Sequence, residues 1–312
     1  MLSLAEIRAA ASRIAGKVRR TPLIAGGPAK RALGPGPVSF KLECLQVTGS
    51  FKARGAISKL TLLSEAALAR GLVTASGGNH GLAIAYAGWL VGRPATIFVP
   101  ESVSPAKAAK IKEWGAELVV TGKVWDEANR AALDHVERVG ATYVHPFADP
   151  AIMAGQGTIA LELFEQDPEI ETLIVAIGGG GLISGIATAT KALNPKMRVI
   201  GVEPVGAPTL HASLAAGRVV TLPEITTTVP TLAAGRTDEM NFEIVRRLVE
   251  EIVLVTDEEM REAARWLWFE CGLAVDLSGA ASVAAILAGR VAAPAGRRTC
   301  ALVCGAGADG IG

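Results

Sequence analysis

With 312 residues, half of them apolar and a fifth charged, the chain can bury a large core, which excludes a disordered protein. A formal net charge of +1 and the lack of a dense Lys/Arg run argue against nucleic acid or an acidic membrane surface as partner, and for a small, weakly charged one. Cys44, Cys271, Cys300 and Cys304 are too few for a disulfide scaffold and show no CxxC spacing, so a reducing cytoplasm is expected. No apolar run reaches the length of a membrane span and the N-terminus does not read as a signal peptide, so neither insertion nor export is expected.

Ser3 and Glu6 form a capping-box pattern ahead of Ile7, Ala10, Ala11 and Ile14, which repeat at helical spacing until Gly16. The chain therefore opens with a helix. Segment 38–44 alternates like a strand, and the residues after Gly49-Ser50 read as a helix through Leu63. Apolar runs of strand length follow at 72–75, 95–99, 117–120, 142–145, 173–177, 198–202, 252–255 and 299–303, with helical stretches between them. Near-continuous apolar strands alternating with helices indicate parallel sheets covered on both faces, an α/β fold. The first four of these strands form a compact run, and His145-Pro146-Phe147 with Asp149-Pro150 reads as a crossover. The expected organisation is a small α/β domain over 66–146 inserted in a large domain made of 1–65 and 147–312. The stretch 291–296 reads as a surface loop.

Four places can carry chemistry. Gly178-Gly179-Gly180-Gly181 follows an apolar strand and precedes a helical run from Leu182; its N–H groups can converge on a phosphate at a helix N-terminus, although a flexible turn would also use glycine. Lys52, in Thr48-Gly49-Ser50-Phe51-Lys52-Ala53-Arg54-Gly55, starts a helix and, if partly buried, becomes an amine nucleophile toward an aldehyde; alone it reads as a surface lysine. The turn Ser76-Gly77-Gly78-Asn79-His80-Gly81 can hold a carboxylate on its N–H groups, or can simply cap a helix. His80 taken singly is a structural hydrogen-bonder. Cys304 ends the last strand and is either a small buried hydrophobe or a group facing a ligand, and Asp276 and Ser278 read as a helix cap.

Taken together, the Lys52 octapeptide 49–56, the 76–81 turn and the tetraglycine resemble the fold type II pyridoxal-phosphate enzymes, in the threonine/serine dehydratase and serine racemase branch. The resemblance spans almost the whole chain, and Phe51-Lys52-Ala53-Arg54-Gly55 resembles the dehydratase form of the lysine motif. It implies a tryptophan synthase β-like fold of two parallel-sheet-rich domains, pyridoxal 5'-phosphate as cofactor, and a homodimer. It further implies that Lys52 carries the cofactor and acts as acid/base at the substrate Cα, while Phe51 packs on the ring. Asn79 would bond the phenolic oxygen, Gly178, Gly179, Gly180, Gly181 and Leu182 would cradle the phosphate, and Cys304 would face the pyridine nitrogen. The substrate carboxylate would lie on Ser76, Gly77, Gly78, Asn79 and His80.

The activity implied is elimination of water from a small β-hydroxy amino acid of the L-threonine/L-serine type, giving a 2-keto acid and ammonia. The alternatives are dehydration of hydroxyaspartate or phenylserine, racemisation, and β-replacement. Gly77 stands where serine racemases place a serine as the opposite-face acid/base. Glu203 matches the branch's metal-binding glutamate, but the companion acidic position is Thr209, so no metal is expected. The family's usual Ala-Asp-Gly is Ala233-Ala234-Gly235, its Glu-Pro-Ser/Thr-Gly is Asp276-Leu277-Ser278-Gly279, and Gly307 replaces a frequent Asn. A nicotinamide oxidoreductase would need GxGxxG after an early strand with an acidic residue about 20 positions on, and the chain has no such pair. Feedback inhibition through an appended ligand-binding domain is not expected.

Overall fold

The computed structural model describes residues 2–311. The first half of the chain runs α1 (Leu4–Ile14), β1 (Leu23–Ala25), β2 (Val38–Leu42), α2 (Lys52–Leu60), α3 (Glu65–Ala69), β3 (Leu72–Ala75), α4 (Asn79–Val91), β4 (Ala95–Val99), α5 (Pro105–Glu113), β5 (Glu117–Val120), α6 (Trp125–Val139) and β6 (Thr142–Tyr143). The second half runs α7 (Pro150–Gln166), β7 (Ile170–Ala176), α8 (Gly181–Leu193), β8 (Arg198–Pro204), α9 (Thr209–Ala216), α10 (Glu239–Leu248), β9 (Glu251–Val255), α11 (Asp257–Cys271), α12 (Leu277–Leu287) and β10 (Arg298–Val303).

Two sheets organise these elements, and the α/β expectation holds. The larger has the order β1-β2-β10-β7-β8-β9 and is parallel except for the edge pair β1–β2; the smaller has the order β5-β4-β3-β6 and is parallel throughout. Consecutive residues of the central strands, such as Leu173, Ile174 and Val175, are all buried, as a sheet covered on both faces requires. Each such side chain contributes about 1.5–3 kcal/mol by leaving water. Among the described residues no helix is long and apolar enough to cross a membrane.

The capping box closes as expected, with the Ser3 amide donating to Glu6 at 2.8 Å and Ile7, Ala10 and Ile14 forming the buried face of α1. Elsewhere the structure corrects the sequence reading. Strand β2 stops at Leu42 instead of Cys44, because the chain tightens into short 3₁₀ turns at Glu43–Leu45 and Val47–Gly49, where Thr48 takes a φ of +65°. Helix α2 ends at Leu60, three residues early. Asp149-Pro150 starts α7 instead of belonging to the crossover: Asp149 accepts from Ala151 N at 2.8 Å, and proline tolerates the first helical position because its missing N–H has no partner to lose. The 291–296 stretch is the expected surface loop, with Ala292, Pro294, Ala295 and Gly296 exposed, and it is anchored by buried Val291 and Ala293, whose carbonyl oxygen accepts from Gly36 N at 2.9 Å. Strand β1 is three residues long and carries no alternation to find it by.

Helix α2 touches α7 at Gly55 and Gly155, where a Cβ on Gly155 would stand 2.5 Å from Arg54 O. Its other face packs on α4, and Ala56, Ile57 and Leu60 share an apolar cluster with Leu82, Ile84 and Ile97. The helix that starts with Lys52 is thus wedged between α7 and α4.

Candidate active site

Beneath α2 lies a buried ionic cluster. The Arg54 guanidinium is 1% exposed. It donates to both carboxylate oxygens of Glu43 (2.8 Å each), to both of Glu162 (2.7 and 2.9 Å) and to Thr158. Lys41 adds a second cation, donating to Glu162 (2.7 Å), Gln166 and Thr21 O. Against the desolvation that would lower it, Glu43 and Glu162 hold the Arg54 pKa above its ordinary value. Two cations balance two carboxylates, so the charges stay buried without an unpaired member. The cluster fixes the first turn of α2, and with it Lys52.

The Lys52 amine donates to Pro146 O at 2.6 Å and lies 5.2 Å above the Phe51 ring. Burial pulls its pKa down to about 8, with Cys304 opposing the shift. The next residue along, Phe147, closes over the glycine loop: a Cβ on Gly179 would fall 2.2 Å from its ring, and one on Gly181 would fall 2.8 Å from its carbonyl oxygen. One dipeptide therefore has the amine of Lys52 on one side and the tetraglycine on the other. Two histidines hold the segment. His80, 3% exposed, places Nε2 3.0 Å from Val144 O, and His145 Nδ1 accepts from the amides of Phe147 and Ala148. Burial, reinforced by the Lys52 charge, takes His80 down to about 3, so it is neutral, with Nε2 carrying the proton. His80 Nδ1 is buried without a partner.

Gly178, Gly179, Gly180 and Gly181 connect β7 to α8, and Gly180 is the N-cap with a φ of +99° and no side-chain cap bond. Glycine serves two ends here: Phe147 approaches too closely for side chains, and the first turn of α8, including Leu182, is left without a side-chain acceptor. A helix end of this kind takes an anion. Thr237 Oγ1 and Asn241 Nδ2 donate to Gly179 O at 3.0 and 3.2 Å and hold the loop from behind.

Ser76, Gly77, Gly78 and Asn79 form a half-buried turn between β3 and α4, with Ser76 Oγ accepting from Gly78 N at 3.3 Å. The His80 ring points away from this turn, into the crossover. Asn79 Nδ2 donates to Asp276 Oδ2 at 3.0 Å. Asp276 also caps α12, taking Gly279 N (2.6 Å) and Ser278 Oγ (2.7 Å) on Oδ1, and burial raises its pKa against these bonds. Cys304 is buried, its thiol donating to Ser278 O at 3.3 Å and its carbonyl accepting from Phe51 N at 3.2 Å. Burial pushes the thiol far above its ordinary value, so it stays protonated. Glu203 spends both oxygens on the amides of Leu210 and His211 (2.8 Å each) at the start of α9, and burial raises it to about 8. Among the described residues no group of three or more His, Cys, Asp or Glu is placed to hold a metal ion.

A phosphate acceptor and a desolvated amine on either side of one dipeptide fit a cofactor that is both phosphate and aldehyde. The sequence profile of the pyridoxal-phosphate dependent enzymes matches residues 14–305. The chain belongs to that family. As a pyridoxal-phosphate dependent enzyme it is 44% identical over 302 residues to an L-threonine ammonia-lyase of Geobacter sulfurreducens, covering 97% of this chain and 75% of that one. It is 39% identical over 276 residues to a phenylserine dehydratase of Ralstonia pickettii, covering 87% and 83%. Maize serine racemase superposes with a TM-score of 0.91 at 35% identity, covering 98% of this chain and 93% of that one. In this pyridoxal-phosphate dependent enzyme, sequence reasoning missed Pro146, whose carbonyl accepts from Lys52, and Phe147, which lies against the glycine loop. Their positions depend on the packing of distant segments, and no local pattern marks them.

Proposed function

We propose that the enzyme eliminates water from a small β-hydroxy amino acid, L-threonine or L-serine, releasing a 2-keto acid and ammonia. The observation that carries the reading is the Lys52 amine held on the carbonyl of Pro146, the neighbour in sequence of the Phe147 that covers the glycine loop. Lys52 with Phe51 would hold the cofactor ring, Gly178, Gly179, Gly180, Gly181 and Leu182 its phosphate, Asn79 its phenolic oxygen, and Cys304 would stand at its ring nitrogen. Once bound, that cofactor withdraws electrons from the substrate Cα, so the proton there can leave and the β-hydroxyl can be expelled.

The chain's own groups divide the remaining work. Ser76, Gly77, Gly78, Asn79 and the amide of His80 orient the substrate by its carboxylate. Lys52 takes the Cα proton, a task for which a pKa lowered to about 8 suits it, since an appreciable share of the amine is then free base near neutrality. Cys304 stays a thiol bonded to Ser278 O and offers the ring nitrogen no charged partner. Gly77 offers no hydroxyl on the face opposite Lys52, which favours elimination over racemisation. Among the described residues every cysteine is free, in keeping with work in a reducing cytoplasm. The reading extends to a homodimer, and to a small domain over 66–146 inserted in a cofactor domain made of 1–65 and 147–312. A keto-acid assay with both substrates tests it: product from L-threonine and L-serine is expected, and cofactor binding without product from either would overturn it.

A further inference from the structure

Thr231 lies on the connection between α9 and α10. Its loop is pinned from outside, since Asp257 accepts from Thr227 Oγ1 (2.7 Å), Thr228 N (2.6 Å) and Thr228 Oγ1 (2.7 Å). It is pinned from inside by Val229 and Leu232, which are buried in the core. The Thr231 carbonyl oxygen stands 2.9 Å from where a Cβ on Gly178 would be, and its Cγ2 methyl stands 3.7 Å from where a Cβ on Gly78 would be. The residue therefore spans the gap between the carboxylate turn and the glycine loop. A cavity of about 310 Å³ is lined by Thr231, by Lys107 and Arg261, and by Asp276, the partner of Asn79.

We propose that Thr231, through the methyl facing Gly78, sets the upper size of the β-substituent the enzyme accepts. The inference rests on the function proposed above, because it takes the substrate carboxylate at the 76–80 turn and the cofactor phosphate at the glycine loop. An amino acid held by its carboxylate at the turn and by its amino group at the cofactor would have its β-carbon in the gap between turn and loop. A substituent directed at Thr231 meets a wall that Asp257 and two buried side chains keep from yielding. A hydrogen or methyl fits in front of it, and an aryl group must push past it toward the cavity. Deleting one methyl from such a wall shifts discrimination by about tenfold or more.

Thr231→Ser removes that methyl and keeps the hydroxyl, whereas Thr231→Val keeps a methyl and removes the hydroxyl. The experiment compares kcat/KM for L-threonine and L-phenylserine in the two variants and the wild-type holoenzyme. Alongside it, Kd values for L-alanine and L-phenylalanine, which lack a β-hydroxyl, are read from cofactor absorbance. Thr231→Ser is expected to raise the phenylserine-to-threonine ratio at least about tenfold and to tighten phenylalanine relative to alanine by a similar factor. Thr231→Val is expected to leave both ratios near the wild-type values. Unchanged ratios in Thr231→Ser, or a shift of equal size in Thr231→Val, would overturn the proposal. Should no form of the enzyme eliminate water, the dehydratase reading fails, and the alanine and phenylalanine pair still decides the size limit.

Discussion

Asn79 Nδ2 donates to Asp276 Oδ2 across 3.0 Å, and that bond joins the first residue of α4, beside the small sheet, to the N-cap of α12 in the large one. The Asn79 amide keeps a second hydrogen, which in the proposed reading would go to the cofactor's phenolic oxygen, and the bond to Asp276 orients the amide. Replacing Asn79 by Asp would face two carboxylates across that distance, where both cannot stay ionised. Asn79→Asp is therefore expected to lose about tenfold more kcat/KM than Asn79→Ala, with part of the deficit recovered at lower pH. Keto-acid assays across pH check this, and equal losses at every pH would contradict it.

The Lys52 amine titrates near 8 in the fold and at 10.5 when free in water. Between these values the unfolded chain holds a proton that the folded chain has released, so stability rises with pH across that window. The stability is present above 10.5 and lost as pH falls through 8. Uptake of pyridoxal phosphate by the apo-protein needs the free amine, and its rate is expected to rise with a midpoint near 8. Stopped-flow absorbance measures it, and a midpoint near 10.5 would show an amine exposed to water.

Arg54→Met leaves Glu43, which is 0% exposed, without its cation. Breaking a buried pair in this way costs about 3–5 kcal/mol. Adding Glu43→Gln should restore a large part of the loss. Urea unfolding of the two variants is the check, and additive losses would mean that the pair is not coupled.

His80→Phe removes the donor to Val144 O, which also accepts from Thr74 Oγ1 at 2.9 Å, so the carbonyl keeps one partner. The expected cost is about 0.5–1.5 kcal/mol of stability. A larger fall in turnover is expected, up to about a hundredfold if Pro146 and Phe147 shift by as much as 1 Å. His80→Gln, which can still donate, should regain most of both. Thermal melts and keto-acid assays on the pair decide it, and a glutamine variant no better than phenylalanine would contradict the positioning role.

What the sequence disclosed was local. Lys52, the tetraglycine and the 76–80 turn each sit at the junction of a strand or loop with a helix, where a few neighbouring residues determine the geometry. The apolar runs marked the central strands because a sheet buried on both faces needs apolar residues at successive positions. What stayed hidden depends on distance along the chain. Arg54 meets Glu162 across 108 positions and Asn79 meets Asp276 across 197. Neither pairing leaves a periodic trace. Glycine in the tetraglycine loop was anticipated for anion binding, and the contact with Phe147 supplies a second reason that only packing reveals.

Borohydride reduction of the pyridoxal-phosphate-loaded protein, followed by peptide mass spectrometry, tests the central claim most directly. A single pyridoxyl group on the peptide containing Lys52 is the predicted result. A label on any other lysine, or none after saturation with the cofactor, would contradict it.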